Sequence, residues 1–264
     1  MEKEKVGLKK GYVLVYNFGS IKVHNYNTAD YIDNQVIMLE KKNKLLVIES
    51  PIFYENNMEL ETYIKSLKLK IEGILLSYHM GGGTFLNGEK KIATHHADDY
   101  GHSGGGKVLV DGFRKTFGEG LDDKIHNVTD YIDEGKVTIA DIEMNIIGTN
   151  DGYDIEIPEI NSIYTHMLGS DCHSIIAGTK HAKFLIETLK GYVEKNYNLI
   201  LTSHYIPEGI EAVKTKIAYL ETVLTIANTC NNAKEMIEKV KEEYPQYSGI
   251  NYLEMSAGFF FPEN

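Results

Sequence analysis

Four short polar clusters in this sequence combine side chains that bind metals or carry protons. They are Ser77-Tyr78-His79, Gly148-Thr149-Asn150-Asp151, Gly169-Ser170-Asp171-Cys172-His173 and Thr202-Ser203-His204-Tyr205. Imidazole nitrogen and carboxylate oxygen are donors that zinc and iron accept, and a metal so held activates water. His79, Asp151, Asp171 and His204 are therefore candidate metal ligands, and Asp171 and His173 are candidate catalytic groups. A fifth cluster, from Thr94 to His102, carries three histidines and two aspartates in nine residues. On a helical turn His95 with Asp98, or His96 with Asp99, would share a face, so these four form a secondary candidate set. His166 alternates with apolar neighbours and reads as a strand histidine. His126 and His181 read as solvent-facing.

Other chemistries find less support. Gly104-Gly105-Gly106-Lys107 is followed by Val108, so the GxxxxGK[ST] spacing of a phosphate-binding loop is not met. No GxSxG nucleophile elbow is present. Cys172 and His173 are adjacent, an arrangement that seldom presents two side chains to one another for nucleophilic catalysis. With Cys230 as the only other cysteine, thiolate zinc fingers are excluded and at most one disulfide is possible.

Each of the four clusters follows an apolar run, and this is what could position it. Ile71–Leu76 reads as a buried strand leading to His79. Val137 to Ile147 alternates as a strand pair turning near Asp141. Ile163–Leu168 and Asn198–Thr202 read as two further strands. Earlier, Tyr12–Tyr16 is a strand, and Val36–Leu39 with Leu45–Ile48 forms a hairpin around a charged turn. Met58, Leu60, Ile64 and Leu67 have helical spacing. Helices also follow over Ala182–Val193, with Thr179 near its N-cap, over Ile210–Ala227 and over Met236–Val240. Gly81–Gly83 and Gly104–Gly106 read as loops. Strand hairpins followed by interleaved helices predict an α/β domain with mixed sheets. Ligand sites in such sheets gather at strand ends.

The 264 residues, 42% hydrophobic and 25% charged, suit one soluble domain with a substantial core. The formal charge of −11, with no basic stripe, argues against nucleic acid as a partner. No apolar run is long enough for a membrane span, and the charged opening Met1-Glu2-Lys3-Glu4-Lys5 shows no signal-peptide pattern. A cytoplasmic protein acting on a small-molecule ligand or substrate is the expectation. The aromatic stretch from Tyr244 to Pro262 could pack on the flank, cover the pocket or make a homo-oligomer contact.

The order of these elements, with Ile74-Leu75-Leu76-Ser77-Tyr78-His79 followed by Gly82-Gly83, resembles the metallo-β-lactamase superfamily. In that family a strand of similar pattern leads into HxHxDH. Gly148-Thr149-Asn150-Asp151 stands where the family has a Gly-His ligand, Asp171 near its bridging Asp, and His204 at its closing His. The resemblance spans about residues 12 to 210. It implies a single αββα sandwich domain over 1–264, with a helical, aromatic extension from about 208. Only His79 remains of the first motif, because Met80 and three glycines follow, and glycine offers no donor atom. The family's two-zinc centre is therefore not expected. Two readings remain: a hydrolase-like protein with a degenerate site for at most one zinc or iron ion, or a metal-free ligand-binding descendant of the fold.

Overall fold

The computed structural model describes residues 2–262, and the chain divides into two compact units. The first comprises Met1–Met167 with Leu199–Pro207, and the second Leu168–Asn198 with Glu208–Asn264.

The first unit holds two mixed sheets. The larger contains β1 (Glu2–Gly7), β2 (Tyr12–Asn17), β3 (Lys22–Asn27), β4 (Gln35–Lys41), β5 (Lys44–Ile48), β6 (Lys70–Leu75), β7 (Lys91–Ala93) and β8 (Asp130–Tyr131), paired in that order. β1 to β5 run antiparallel, and β5 to β8 are parallel. The smaller contains β9 (Gly135–Ile139), β10 (Ile142–Gly148), β11 (Tyr153–Ile157), β12 (Ser162–Thr165) and β13 (Leu199–Thr202), in the order β13-β12-β11-β10-β9. Only β12 and β13 are parallel there. Apolar side chains of both sheets, among them Val13, Leu46 and Ile74 from one and Ile142, Ile155 and Leu201 from the other, share one core.

Local chemistry explains the junctions. β9 and β10 are joined through Ala140 and Asp141, both at positive φ, as a tight hairpin with the right-handed strand twist requires. Neither residue is glycine. The Asp141 carboxylate compensates by pairing with Lys42 and Lys44 at the β4–β5 turn. Val36–Leu39 and Leu45–Ile48 are fully buried on both faces, which is why they read as unbroken apolar runs.

Three helices complete this unit: α1 (Tyr54–Leu67), α2 (His95–Ser103) and α3 (Gly105–Phe117). The expected helix over Met58–Leu67 thus begins a turn earlier. The Thr94 hydroxyl caps α2 by accepting from the Ala97 N–H. Gly105 and Gly106 lie in the first turn of α3, so the expected loop reduces to the Gly104 junction.

The second unit is helical: α4 (Gly178–Lys195), α5 (Ile210–Ala227), α6 (Ala233–Glu243) and α7 (Ile250–Phe260). Ala177 is the N-cap residue of α4, with Thr179 in the first turn as expected. The aromatic C-terminal stretch contributes Tyr244 and Tyr247, which pack around Tyr219 of α5. Both cysteines are free. No described helix is long and apolar enough to cross a membrane.

Candidate metal centre

Three strands of the first unit end in histidines that converge. His79 lies four residues beyond β6, His166 one beyond β12, and His204 two beyond β13. Each offers one nitrogen, and the three atoms lie within 4.8 Å of one another. Their rings meet at angles, with centroids 5.1 Å apart for His79 and His204, 5.2 Å for His79 and His166, and 5.3 Å for His166 and His204.

Backbone pairing fixes the loops that carry them. The Ser203 N–H donates to the His166 carbonyl, and the Gln35 N–H donates to the Ser203 carbonyl. His204 Nδ1–H donates to the Ile32 carbonyl at 3.0 Å, so its lone pair is on Nε2. His79 is set by Glu49, which follows β5 and is completely buried. The Glu49 carboxylate accepts from the backbone N–H groups of Ser77, Tyr78 and His79, and from the Tyr164 hydroxyl at 2.7 Å. Tyr164 OH also shares a 2.5 Å hydrogen bond with Ser203 Oγ, which joins the His79 and His204 loops through one carboxylate. Burial pushes the Glu49 carboxyl up to about 7, against the pull of these donors.

All three imidazoles are held neutral, the form that ligates metal. Burial is the main cause in each case. It pushes His166 down to about 3, helped by His204, and holds His79 well below the ordinary value, helped by His204 and His166. His204 is lowered by burial, against the raising effects of the Ile32 carbonyl and of Asp30 and Asp33. His79 Nδ1 and His166 Nε2 are buried and have no hydrogen-bond partner, an expense seldom left uncompensated. Tetrahedral zinc at ordinary Zn–N lengths needs nitrogens about 3.4 Å apart, so a 4.8 Å triangle would contract by less than about 1 Å per ring. The donors fit a zinc-like ion, with further positions left for water or substrate.

Of the ligands expected from sequence, the structure brings His79 and His204 together. Asp151 is an exposed residue and is not part of the group. Asp171 and His173 belong to the second unit. Asp171 is exposed there, whereas His173 is fully buried, with Nδ1 3.0 Å from the Tyr219 hydroxyl. The secondary set lies on α2. His95 stacks on Tyr131, His96 contacts the Asn150 carbonyl, Asp98 bonds Tyr131 and pairs with His102, and Asp99 accepts from Ser103 through its carbonyl. None of the four joins the centre.

His166 was expected to be a strand histidine. The strand stops at Thr165, so His166 leaves the alternation and turns to the centre. His126 was expected at the surface and is buried, with Nε2 3.0 Å from Ser50 Oγ. Asp30 was also missed. Its Oδ1 accepts from the Ile32 and Asn34 N–H groups, its Oδ2 is buried and unpartnered, and burial raises its carboxyl. The strand-end rule that selected the other residues would have found Glu49, and only the early end of β12 reveals His166.

No protein-family model matches the sequence, and no curated protein sequence does. Solved structures do match its shape. A sec-alkylsulfatase from Pseudomonas sp. superposes with a TM-score of 0.63 at 13% identity over 94% of this chain and 49% of that one. A metallo-β-lactamase from Erythrobacter litoralis gives 0.56 at 13% identity, covering 83% and 100%. The DIM-1 metallo-β-lactamase gives 0.51 at 14%, covering 82% and 99%. This chain spans about half the length of the alkylsulfatase. At such identities the likeness establishes the fold, which is of the metallo-β-lactamase type, as the sequence resemblance implied.

Proposed function

We propose that this protein is a metal-dependent hydrolase whose single ion, zinc or iron, is held by His79, His166 and His204. The observation that carries the reading is the convergence of three neutral imidazoles, one nitrogen of each within 4.8 Å of the others, in a group where His79 Nδ1 and His166 Nε2 are buried without hydrogen-bond partners. The two kinds of solved neighbour, an alkylsulfatase and metallo-β-lactamases, support hydrolysis as the reaction class.

An ion bound there supplies Lewis acidity, which acidifies water and polarises the bond to be cleaved. The chain's own groups do the rest. Glu49 and Tyr164 hold the His79 and His204 loops at fixed separation. The Ile32 carbonyl fixes the His204 tautomer. Asp30, on the same loop as Ile32, has a buried Oδ2 without a hydrogen-bond partner and interacts electrostatically with His204, and in this reading it is the candidate to accept the proton of an attacking water. The substrate class in this reading is a small ester, lactone, amide or phosphoester.

Elemental analysis of protein purified without an affinity tag or chelator tests the reading. Metal close to one equivalent, lost in both His166→Ala and His204→Ala, is the expected result. Metal far below stoichiometric, together with a melting temperature indifferent to added zinc, overturns it. A metal-free binder is then the surviving reading, and the residues after His79 favour it. Met80 is buried and Gly82 lies against the Pro51 carbonyl, so this stretch is used for packing.

A further inference from the structure

His166 differs from its two companions in how it is held. His204 has a carbonyl on its second nitrogen, and the His79 backbone is tied to Glu49. Metal-ligating histidines normally have such a partner, which sets ring orientation and tautomer. The His166 carbonyl accepts from the Ser203 N–H just past the end of β12, which fixes the backbone but not the rotation of the ring, and His166 Nε2 is buried without a hydrogen-bond partner.

What His166 has is Tyr78. The two rings stack at 4.6 Å between centroids and 13° between planes, the most nearly parallel contact in the centre. Tyr78 is itself held from several sides. Its N–H donates to Glu49 at 2.8 Å, and its hydroxyl donates to Asp154 Oδ1 at 2.6 Å, on the strand beside β12. Thr149 Oγ1 approaches the same hydroxyl at 3.4 Å. The ring is 8% exposed, and its other contacts include Tyr164 at 6.3 Å. A ring pinned at backbone and hydroxyl presents a fixed flat face, and His166 lies against it.

We infer that Tyr78 is the positioning residue of the centre, its ring face orienting His166 as the third ligand. The inference rests on the metal reading above. An aromatic stack contributes about 1 kcal/mol. Loss of an orienting partner lowers metal affinity by about 10- to 100-fold.

Cobalt(II) is the probe, because its visible absorption reports coordination geometry as well as occupancy. Wild type, Tyr78→Phe and Tyr78→Leu are titrated with cobalt after chelator treatment, and folding is followed by circular dichroism. Tyr78→Phe keeps the flat face and loses the hydroxyl's bonds to Asp154 and Thr149, so its affinity should stay within about threefold of wild type. Tyr78→Leu should bind about 10- to 100-fold more weakly, with a changed band shape. If Tyr78→Leu does not fold, Tyr78→Met asks the same question with more volume and no flat face. A folded leucine or methionine variant with wild-type affinity and spectrum overturns the role of Tyr78 and leaves the metal reading intact. A phenylalanine variant as weak as the leucine one also overturns it, because the hydroxyl and not the face would then be responsible. Wild-type protein that takes up no cobalt defeats the metal reading itself, and this inference with it.

Discussion

His126→Gln should change how stability depends on pH, and the size of the change follows from one buried ring. His126 is 1% exposed. The Ser50 hydroxyl donates to the Gly81 carbonyl, so it accepts from His126, and the imidazole proton is on Nε2. Nδ1 is buried with no partner, and nothing accepts a second proton's hydrogen bond there. Burial, helped by the charge of Lys91, pushes the group from 6.5 down to about 3. The unfolded chain therefore binds a proton between about 3 and 6.5 that the folded protein refuses. Stability from this residue is complete above about 6.5 and is lost as pH falls. At pH 5, some 1.5 units below the unfolded pKa, the loss is about 2 kcal/mol. Glutamine donates to Ser50 in the same way but does not titrate. Urea denaturation of metal-free wild type and His126→Gln at pH 8 and pH 5 isolates the effect, since other titrating groups cancel in the difference. The wild-type advantage at pH 8 should shrink by about 2 kcal/mol at pH 5. An advantage that stays constant, or widens in acid, would refute the assignment of a buried neutral imidazole.

Two further substitutions test the frame around the centre. Gly82→Ala puts a Cβ 2.1 Å from the Pro51 carbonyl oxygen at a residue with φ +83°. It should cost about 3 kcal/mol, read as a fall in melting temperature of roughly 6–12 °C. Glu49→Gln leaves the His79 N–H, or with the amide turned the other way the Ser77 and Tyr78 N–H groups, facing an amide donor. A loss of about 1–3 kcal/mol in urea is expected, with weaker zinc binding in a chelator competition, and unchanged zinc affinity would separate this loop from the centre.

The hairpins and the parallel strands leading to the centre were legible because their burial follows a period of two or an unbroken apolar run. β1 was not, because its exposed Lys3, Glu4 and Lys5 carry the charges of an edge strand and leave no apolar pattern. β3 was missed for the opposite reason. Its buried positions include His24, Asn25 and Asn27, which hydrogen-bond Glu40 and Gln35 of β4 and Asp33 of the loop before it, and such pairings leave no trace in one segment. The centre was half legible on the same grounds. His79 and His204 sit at the ends of recognisable strands. His166 was hidden by an alternation that continues one residue beyond the strand, and Asp30 by a loop whose shape only its own hydrogen bonds define.

The stretch after His79 shows why the centre cannot be read as a family motif with its ligands simply removed. Met80 is 3% exposed, and a Cβ on Gly101 would lie 2.1 Å from its Cγ, so a glycine on α2 makes room for this side chain. Gly82 makes room for the Pro51 carbonyl, and the Gly83 N–H donates to the Lys124 carbonyl. These positions now belong to the packing of the loop against α2, Pro51 and Lys124, and the third imidazole comes from the residue after β12 instead. Placing a histidine at Met80, beside the one that remains, should therefore fail to add a metal site. In Met80→His the imidazole would enter the space against Gly101, where an unpartnered polar group costs about 2 kcal/mol. Metal content by elemental analysis should stay at the wild-type value while stability falls. A second equivalent of bound metal in that variant would show that the loop still points its side chains at the centre, contrary to the packing described.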